Sequence, residues 1–143
     1  MLQHVCKDTL LLHHFPNFQP GLTLDCGLAF RWKTDGTGTW HGVAYGKALT
    51  LVHKGAQILF TGVTQQEFDT LWVPYFDLKR DYTALYARFA QDTYLHAAIK
   101  AFPGIRILRQ EPWEALCSFI LSQNNNIPRI KGIIEPCCFR SRY

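Results

Sequence analysis

The chain has 143 residues, enough for one domain and part of a second, with 48% hydrophobic and 14% aromatic residues. This composition supplies a core and argues against intrinsic disorder. Fifteen Lys and Arg against eleven Asp and Glu give a net charge of +4, which permits nucleic-acid binding without requiring it. No apolar run is long enough to span a bilayer, so we expect no membrane partner.

Cysteines and histidines indicate neither a metal site nor a disulfide framework. The five cysteines contain no C-x-x-C pair, and the six histidines contain no H-x-x-x-H group. We therefore predict no metal ion and no cofactor. An odd number of cysteines without a secretory leader predicts an intracellular, reducing compartment: the cytoplasm and nucleoid, or the nucleus in a eukaryote.

The first part of the chain is predicted to be an antiparallel meander. Short apolar runs with alternating polarity predict five strands: Leu22–Cys26, Ala29–Lys33, Thr39–Tyr45, Ala48–His53 and Gln57–Thr61. Turn residues at 34–38 and 54–55 separate neighbouring strands. Such connections are too short for crossovers, so the strands must pair antiparallel.

Helical spacing of apolar residues replaces alternation after Gly62. Thr64 and Glu67 have the spacing of a capping box at the start of a first helix. Asp81 is predicted to cap a second helix, and Asp92 or Thr93 a third. The residues predicted to face inward are Phe68, Leu71, Trp72, Tyr75, Leu85, Tyr86, Phe89, Leu95, Ala98, Ile99 and Phe102.

A strongly apolar helix is predicted to begin at Glu111-Pro112 and to be buried on most sides. A last helix, with Pro128 as its first residue, is predicted to turn Ile130, Ile133 and Ile134 inward and to stop at Pro136. The sequence thus predicts an α+β unit over residues 1–110 and the start of a helical unit over 111–143. Because the last helix has so little left to pack against, we expect truncation or a shifted reading frame after about Glu135, the alternative being a naturally short tail.

Between these two helices lies the segment Ser122-Gln-Asn-Asn-Asn-Ile-Pro-Arg-Ile130. Three consecutive asparagines are poor helix formers and compete for backbone hydrogen bonds, so they predict a corner. Amide side chains, with Arg129 beside them, are also groups that read base edges in nucleic acids. The alternative is that the asparagines only cap and turn the chain.

Three segments resemble the 8-oxoguanine DNA glycosylase family. Cys26-Gly-Leu-Ala-Phe-Arg-Trp32, with Gly42-Val after it, resembles the family's C-G-Q-x-F-R-W signature. Residues 102–112 resemble its F-x-G-[VI]-R-[IL]-L-R-Q-[DE]-P stretch, and residues 119–130 its F-I-x-S-x-N-N-N-I-x-R-I segment. Three matches in the family's order form a specific signal, whereas each alone would be weak.

The resemblance implies an α+β fold, an antiparallel sheet flanked by helices, followed by the first helices of an incomplete all-α domain. It also implies an activity. The family excises 8-oxoguanine and nicks the abasic strand in base-excision repair, so the implied partner is double-stranded DNA with 8-oxoguanine opposite cytosine.

The resemblance further implies roles for single residues. The backbone carbonyl of Gly27 would bind the lesion, whose N7 has become an N–H donor. Asn124 would fill the gap left by the flipped base, Asn125 would support it, and Arg129 would hydrogen-bond the orphan cytosine. Phe30, Arg31 and Trp32 are assigned to packing, with Arg31 paired internally.

The chain departs from the family pattern in two ways. The glutamine that follows the signature glycine is Leu28 here, which removes a polar support of the recognition loop. The family's catalytic lysine in a helix-hairpin-helix and a later aspartate have no match, so no residue is assigned a catalytic role. The alternative function is a stand-alone, non-catalytic DNA-binding module; a globular protein unrelated to DNA would require three coincident matches.

Overall fold

A six-stranded antiparallel sheet forms the first part of the molecule. The computed structural model describes residues 2–6 and 8–140, with side chains for residues 8–136. The strands lie in the order β1-β2-β6-β5-β4-β3. Their bounds are β1 Leu2–Cys6, β2 Thr9–His13, β3 Trp32–Thr34, β4 Thr39–Ala44, β5 Lys47–Lys54 and β6 Gln57–Thr61.

Seven α-helices and one π-helical turn accompany the sheet in the part of the chain described. Their bounds are α1 Pro20–Leu24, α2 Gln65–Glu67, the π-turn Phe68–Trp72, α3 Val73–Tyr75, α4 Tyr82–Phe89, α5 Thr93–Ala101, α6 Pro112–Ser122 and α7 Ile127–Arg140. The predicted α+β class, a sheet with flanking helices followed by further helices, is confirmed.

Local sequence explains most element boundaries. Thr64 and Glu67 form the predicted capping box, and the Asp81 and Asp92 carboxylates each accept two backbone N–H groups at the starts of α4 and α5. The β4–β5 hairpin turns on Tyr45 and Gly46, which have φ values of 50° and 74°. Two consecutive positive φ angles match the right-handed twist of the paired strands.

The core lies between one face of the sheet and the helices α1 to α3. Its centre is aromatic: Trp32, Trp72 and Phe76 are almost fully buried. The Trp32 Nε1–H donates to the Tyr75 hydroxyl over 2.9 Å, and burial raises the pKa of that hydroxyl. Gly42 is required opposite Trp32, because a Cβ atom there would lie 2.2 Å from the indole ring.

Two strand predictions are wrong and two strands were missed. Leu22–Cys26 does not form a strand, because α1 begins at Pro20 and runs to Leu24, where proline suits the first helical turn. The predicted strand Ala29–Lys33 shrinks to Trp32–Thr34. Strands β1 and β2 precede the predicted meander; the nearly continuous apolar run of β2 hides its alternation.

The predicted inward faces of the later helices are also corrected. Phe89, Leu95 and Phe102 are exposed, and α5 contains no buried residue. Helix α6 was predicted to be buried on most sides, yet only Ser118 is buried there. Periodicity identified these helices correctly, but an apolar stripe does not specify which surface covers it.

The prediction that the last helix stops at Pro136 is wrong. Helix α7 continues through Pro136 to Arg140, so the proline lies inside the helix. Of its predicted inner face, Ile130 and Ile134 are buried and Ile133 is partly buried. Ile130 and Ile134 pack with Phe30 in a small second cluster, which joins the helix to the sheet unit.

Candidate nucleic-acid interface

The three asparagines form the corner between α6 and α7, and each does something different. Asn124 adopts a left-handed conformation with φ of 56°, which asparagine tolerates better than most residues, and its side chain is exposed. Asn125 donates its side-chain amide to the Leu121 carbonyl at 2.8 Å and so satisfies the end of α6. The Asn126 side chain accepts the Arg129 N–H at 3.0 Å and caps α7.

Arg129 is the third residue of α7, and its side chain is exposed. Within residues 8–136, it has no ion pair and no side-chain hydrogen bond. The helix macrodipole also disfavours a cation in the first turn of a helix. The Arg129 guanidinium therefore has an unfavourable position and no partner among these residues. Among residues 8–136, neither the Asn124 side-chain amide nor the Arg129 guanidinium has a hydrogen-bond partner, and both lie at the same corner.

Gly27 lies beside this corner although it is almost one hundred residues away in sequence. Its φ is 82°, a conformation that suits glycine, and a Cβ atom built on it would lie 3.4 Å from Ile127 Cδ1. Ile127 is the first residue of α7, between Asn124 and Arg129 in sequence. The structure therefore places the predicted lesion-binding glycine beside the first residue of α7, within the segment that carries the predicted DNA-binding residues.

We call residues 25–28, between α1 and β3, the Gly27 loop. It is tied to the helical region at both ends. The Lys131 ammonium lies 2.9 Å from the Asp25 carboxylate, and the Gln110 side-chain amide donates to the Leu28 carbonyl at 2.7 Å. Helix α7 and the segment before α6 therefore hold the loop from outside.

The residues that follow the Gly27 loop join the sheet to the helices. Phe30 is buried against Ile130, Ile134 and Leu121. The Arg31 guanidinium pairs with Glu114 of α6 at 3.1 Å, which confirms the predicted internal partner. Lys33 pairs with Glu135 of α7. The chain leading into β3 thus makes one apolar contact and, directly after it in sequence, two ion pairs with the helices.

A buried arginine fixes α1, which leads into the Gly27 loop. Arg106 donates to the backbone carbonyls of Pro16, Asn17 and Asp77, and its guanidinium lies 4.2 Å from the Tyr82 ring centre. Burial lowers its pKa. Its backbone N–H also donates to the Thr23 hydroxyl of α1 at 3.2 Å. Within the stretch at residues 102–112 that resembles the family, Arg106 therefore has a structural role: it holds α1 and the segment before it in place.

Sequence reasoning named no role for Gln110 or Lys131, and it covered Asn126 only through the alternative that the asparagines cap and turn the chain. Asn126 does cap α7, and its signal is its position just before the Ile-Pro that opens the helix. The other two act across 82 and 106 residues of sequence, which no local pattern reveals. In the described part of the chain no group of three or more His, Cys, Asp or Glu residues is arranged to hold a metal ion, and no helix is long and apolar enough to cross a membrane.

Comparison with known proteins identifies the family that shares this fold. Residues 11–116 match the family described as 8-oxoguanine DNA glycosylase, N-terminal domain. The chain belongs to the 8-oxoguanine DNA glycosylase family, and it covers the N-terminal part of that family.

Two curated relatives match over different lengths. The N-glycosylase/DNA lyase of Saccharomyces cerevisiae is 63% identical over 35 residues, which are 24% of this chain and 9% of the yeast protein. The N-glycosylase/DNA lyase OGG1 of Arabidopsis thaliana is 24% identical over 120 residues, or 80% of this chain and 33% of the plant protein. This chain therefore spans a third or less of these relatives' length.

Solved structures match almost the whole chain. MBOgg1 in complex with a low-affinity DNA ligand superposes with a TM-score of 0.85 at 36% identity, covering 92% of this chain and 45% of that one. The 8-oxoguanine glycosylase/lyase of Clostridium acetobutylicum, in complex with double-stranded DNA containing cytosine opposite 8-oxoguanine, gives 0.86 at 37% identity, with 92% and 45% coverage.

Proposed function

We propose that this protein binds double-stranded DNA containing 8-oxoguanine opposite cytosine and recognises the lesion inside the cell, in base-excision repair. In this proposal it is the N-terminal part of an 8-oxoguanine DNA glycosylase/AP lyase. The observation that carries it is the proximity of Gly27 to Ile127, since a Cβ atom at Gly27 would lie 3.4 Å from Ile127 Cδ1. A lesion-reading loop and a stack-filling corner need this proximity to act on one flipped nucleotide.

The lesion differs from guanine in its hydrogen-bonding pattern. Guanine presents N7 as an acceptor, whereas oxidation at C8 turns N7 into an N–H donor. A fixed carbonyl oxygen at Gly27 accepts a hydrogen bond from the lesion and meets a repulsive lone pair from guanine. An unpaired buried polar group costs about 1–3 kcal/mol, so this contact biases selection without supplying all of it.

The asparagine corner acts where the flipped base has left the DNA stack. Asn124 fills the gap, while the Arg129 guanidinium donates to the acceptor edge of the orphan cytosine. Asn125 stabilises the corner, because its side-chain amide is already bonded to the Leu121 carbonyl at the end of α6. The exposed, unpaired state of Arg129 supports this role, since a DNA base or phosphate would supply the missing partner.

No residue of this sequence is assigned to the chemical step. In the family that step uses a lysine amine that attacks the sugar and forms a Schiff base. Lys131 forms an ion pair with Asp25 and is not proposed as this nucleophile. Treatment with borohydride in the presence of an 8-oxoguanine:cytosine duplex should give no covalent adduct; an adduct would show that a nucleophile is present.

The binding proposal is tested by fluorescence anisotropy with labelled duplexes. Three duplexes place 8-oxoguanine, guanine or a tetrahydrofuran abasic analogue opposite cytosine. The protein should prefer the lesion and the abasic analogue to guanine, and binding should weaken as salt rises. The double variant Asn124→Ala/Arg129→Ala should lose at least about tenfold in affinity for the abasic duplex, because a good guanidinium–base contact is worth about 1–3 kcal/mol.

The matched control is Arg88→Ala on α4, an exposed arginine whose removal changes the net charge equally. It should reduce affinity only slightly and for all three duplexes alike. Equal affinity of the wild type for all three duplexes, or equal losses in the double variant and the control, would contradict the proposed function.

A further inference from the structure

Within the Gly27 loop, the residue directly after the glycine offers no polar side chain. Leu28 is 48% exposed and has no side-chain donor or acceptor. The Gln110 amide donates to the Leu28 backbone carbonyl at 2.7 Å. The backbone just after Gly27 is therefore held by a residue 82 positions further along the chain.

This support matters because glycine is the residue with the greatest backbone freedom. Gly27 lies in the left-handed region with φ of 82°, and a Cβ atom built on it would lie 3.4 Å from Ile127 Cδ1. The bond from Gln110 fixes the peptide group immediately after that of the Gly27 carbonyl. Beyond it, Ala29 and Phe30 are buried at 3% and 8% exposure. The orientation of the carbonyl is thus limited from its C-terminal side.

The other end of the loop has a weaker anchor. Lys131 lies 2.9 Å from Asp25, but their side chains are 28% and 56% exposed. Ion pairs as exposed as this one contribute little, because water and salt screen them. The Gln110 hydrogen bond is also exposed, but it is shorter at 2.7 Å and is made to the loop backbone itself, so it constrains the loop more directly than the ion pair does.

The two anchors come from different segments of the helical region. Gln110 lies two residues before α6, whose other end leads into the asparagine corner, and Lys131 lies two residues after Arg129 in α7. We propose that Gln110, with Lys131 as a secondary anchor, is a positioning residue that fixes the Gly27 carbonyl and thereby sets the preference for 8-oxoguanine over guanine. This inference rests on the proposed function. Pre-organised polar groups discriminate better than mobile ones because they do not reorganise on binding.

The experiment measures the affinities of the whole chain for the same three duplexes. The variant Gln110→Glu keeps the shape and length of the side chain but replaces the N–H donor by an acceptor. The ratio of 8-oxoguanine to guanine affinity should fall by about threefold to tenfold, which corresponds to one lost hydrogen bond. Affinity for the abasic duplex should stay within about twofold of the control variant, because that duplex has no base for the carbonyl to read.

The control is Gln66→Glu on α2, an exposed glutamine that undergoes the same change of charge. Gln110→Ala serves as a second variant without added charge and should lower the ratio similarly, and thermal melting confirms that each variant is folded. A Gln110 variant that retains the wild-type ratio, or that loses abasic and lesion binding equally, overturns the inference. A wild type without any preference for the lesion instead contradicts the proposed function itself.

Discussion

The sheet unit and the α6–α7 pair contain similar side chains but bury them very differently. Trp32, Trp72 and Phe76 are at most 1% exposed within the sheet core. On α6, by contrast, Trp113 and Phe119 are 69% and 66% exposed. The sheet unit therefore builds its own core, whereas the helical pair is held by Phe30 and a few ion pairs. The two regions therefore differ in how much of their stability comes from their own core.

A pair of tryptophan substitutions gives the largest expected effect. Trp72→Ala should lower the free energy of unfolding by about 3–5 kcal/mol, because it empties the centre of the aromatic core. Trp113→Ala should change it by less than about 0.5 kcal/mol, since that indole is mostly in solvent. Urea denaturation followed by circular dichroism measures both. Similar losses in the two variants would mean that the regions do not differ as described.

Phe30→Ala addresses the connection between the regions. It removes the aromatic ring packed against Ile130, Ile134 and Leu121, so the helical pair should be destabilised by about 3 kcal/mol. Hydrogen exchange should show faster exchange in α7 but unchanged protection in β5. Phe89→Ala, at an exposed aromatic position on α4, is the control. Uniform deprotection of sheet and helices would indicate a single cooperative unit.

Asn126→Ala tests the local order of the corner. Loss of the side-chain cap on α7 should cost about 1 kcal/mol and loosen the first turn, which carries Arg129. Asn126→Asp, which keeps the acceptor, should preserve the helix. Amide exchange at Arg129 reports the difference directly. If alanine and aspartate behave alike, the cap does not stabilise the helix.

The smallest effect concerns the pH dependence of a sheet turn. Hydrogen bonds, chiefly from the Thr37 backbone N–H, lower the pKa of the Asp35 carboxyl from 3.8 to about 2. Because the folded-state pKa is the lower one, the stabilisation is present above about pH 4 and is lost as the pH falls toward 2. In the variant Asp35→Asn, the urea concentration at the unfolding midpoint should fall less steeply between about pH 4 and pH 2 than it does in the wild type. An unchanged pH dependence would show that Asp35 does not contribute to it.

Much of the fold could be predicted because its signals are local. The capping box of Thr64 and Glu67, the cap at Asp81 and the strands from Thr39 to Thr61 all depend on neighbouring residues. Local signals also misled. Leu22–Cys26 alternates like a strand, but the preceding proline and the hydrogen bond from Gln19 N–H to the Gly104 carbonyl favour a helix there.

The site was predictable only in part. Gly27, Asn124, Asn125 and Arg129 were named through the family resemblance, and their proximity required the tertiary structure. Their roles in DNA binding stay predictions. The contact from Gln110 to the Leu28 carbonyl could not have been predicted, since it joins segments with no shared periodicity. Exposure of α6 was mispredicted because sequence records which residues are apolar but not what covers them.

The distribution of tryptophans gives the protein a built-in optical label. Trp32, Trp40 and Trp72 are at most 7% exposed, whereas Trp113 is 69% exposed. A collisional quencher such as acrylamide should extinguish the Trp113 emission first and leave the other three nearly untouched. Emission spectra recorded with and without the quencher then distinguish the α6 surface from the interior of the sheet unit, without any attached dye.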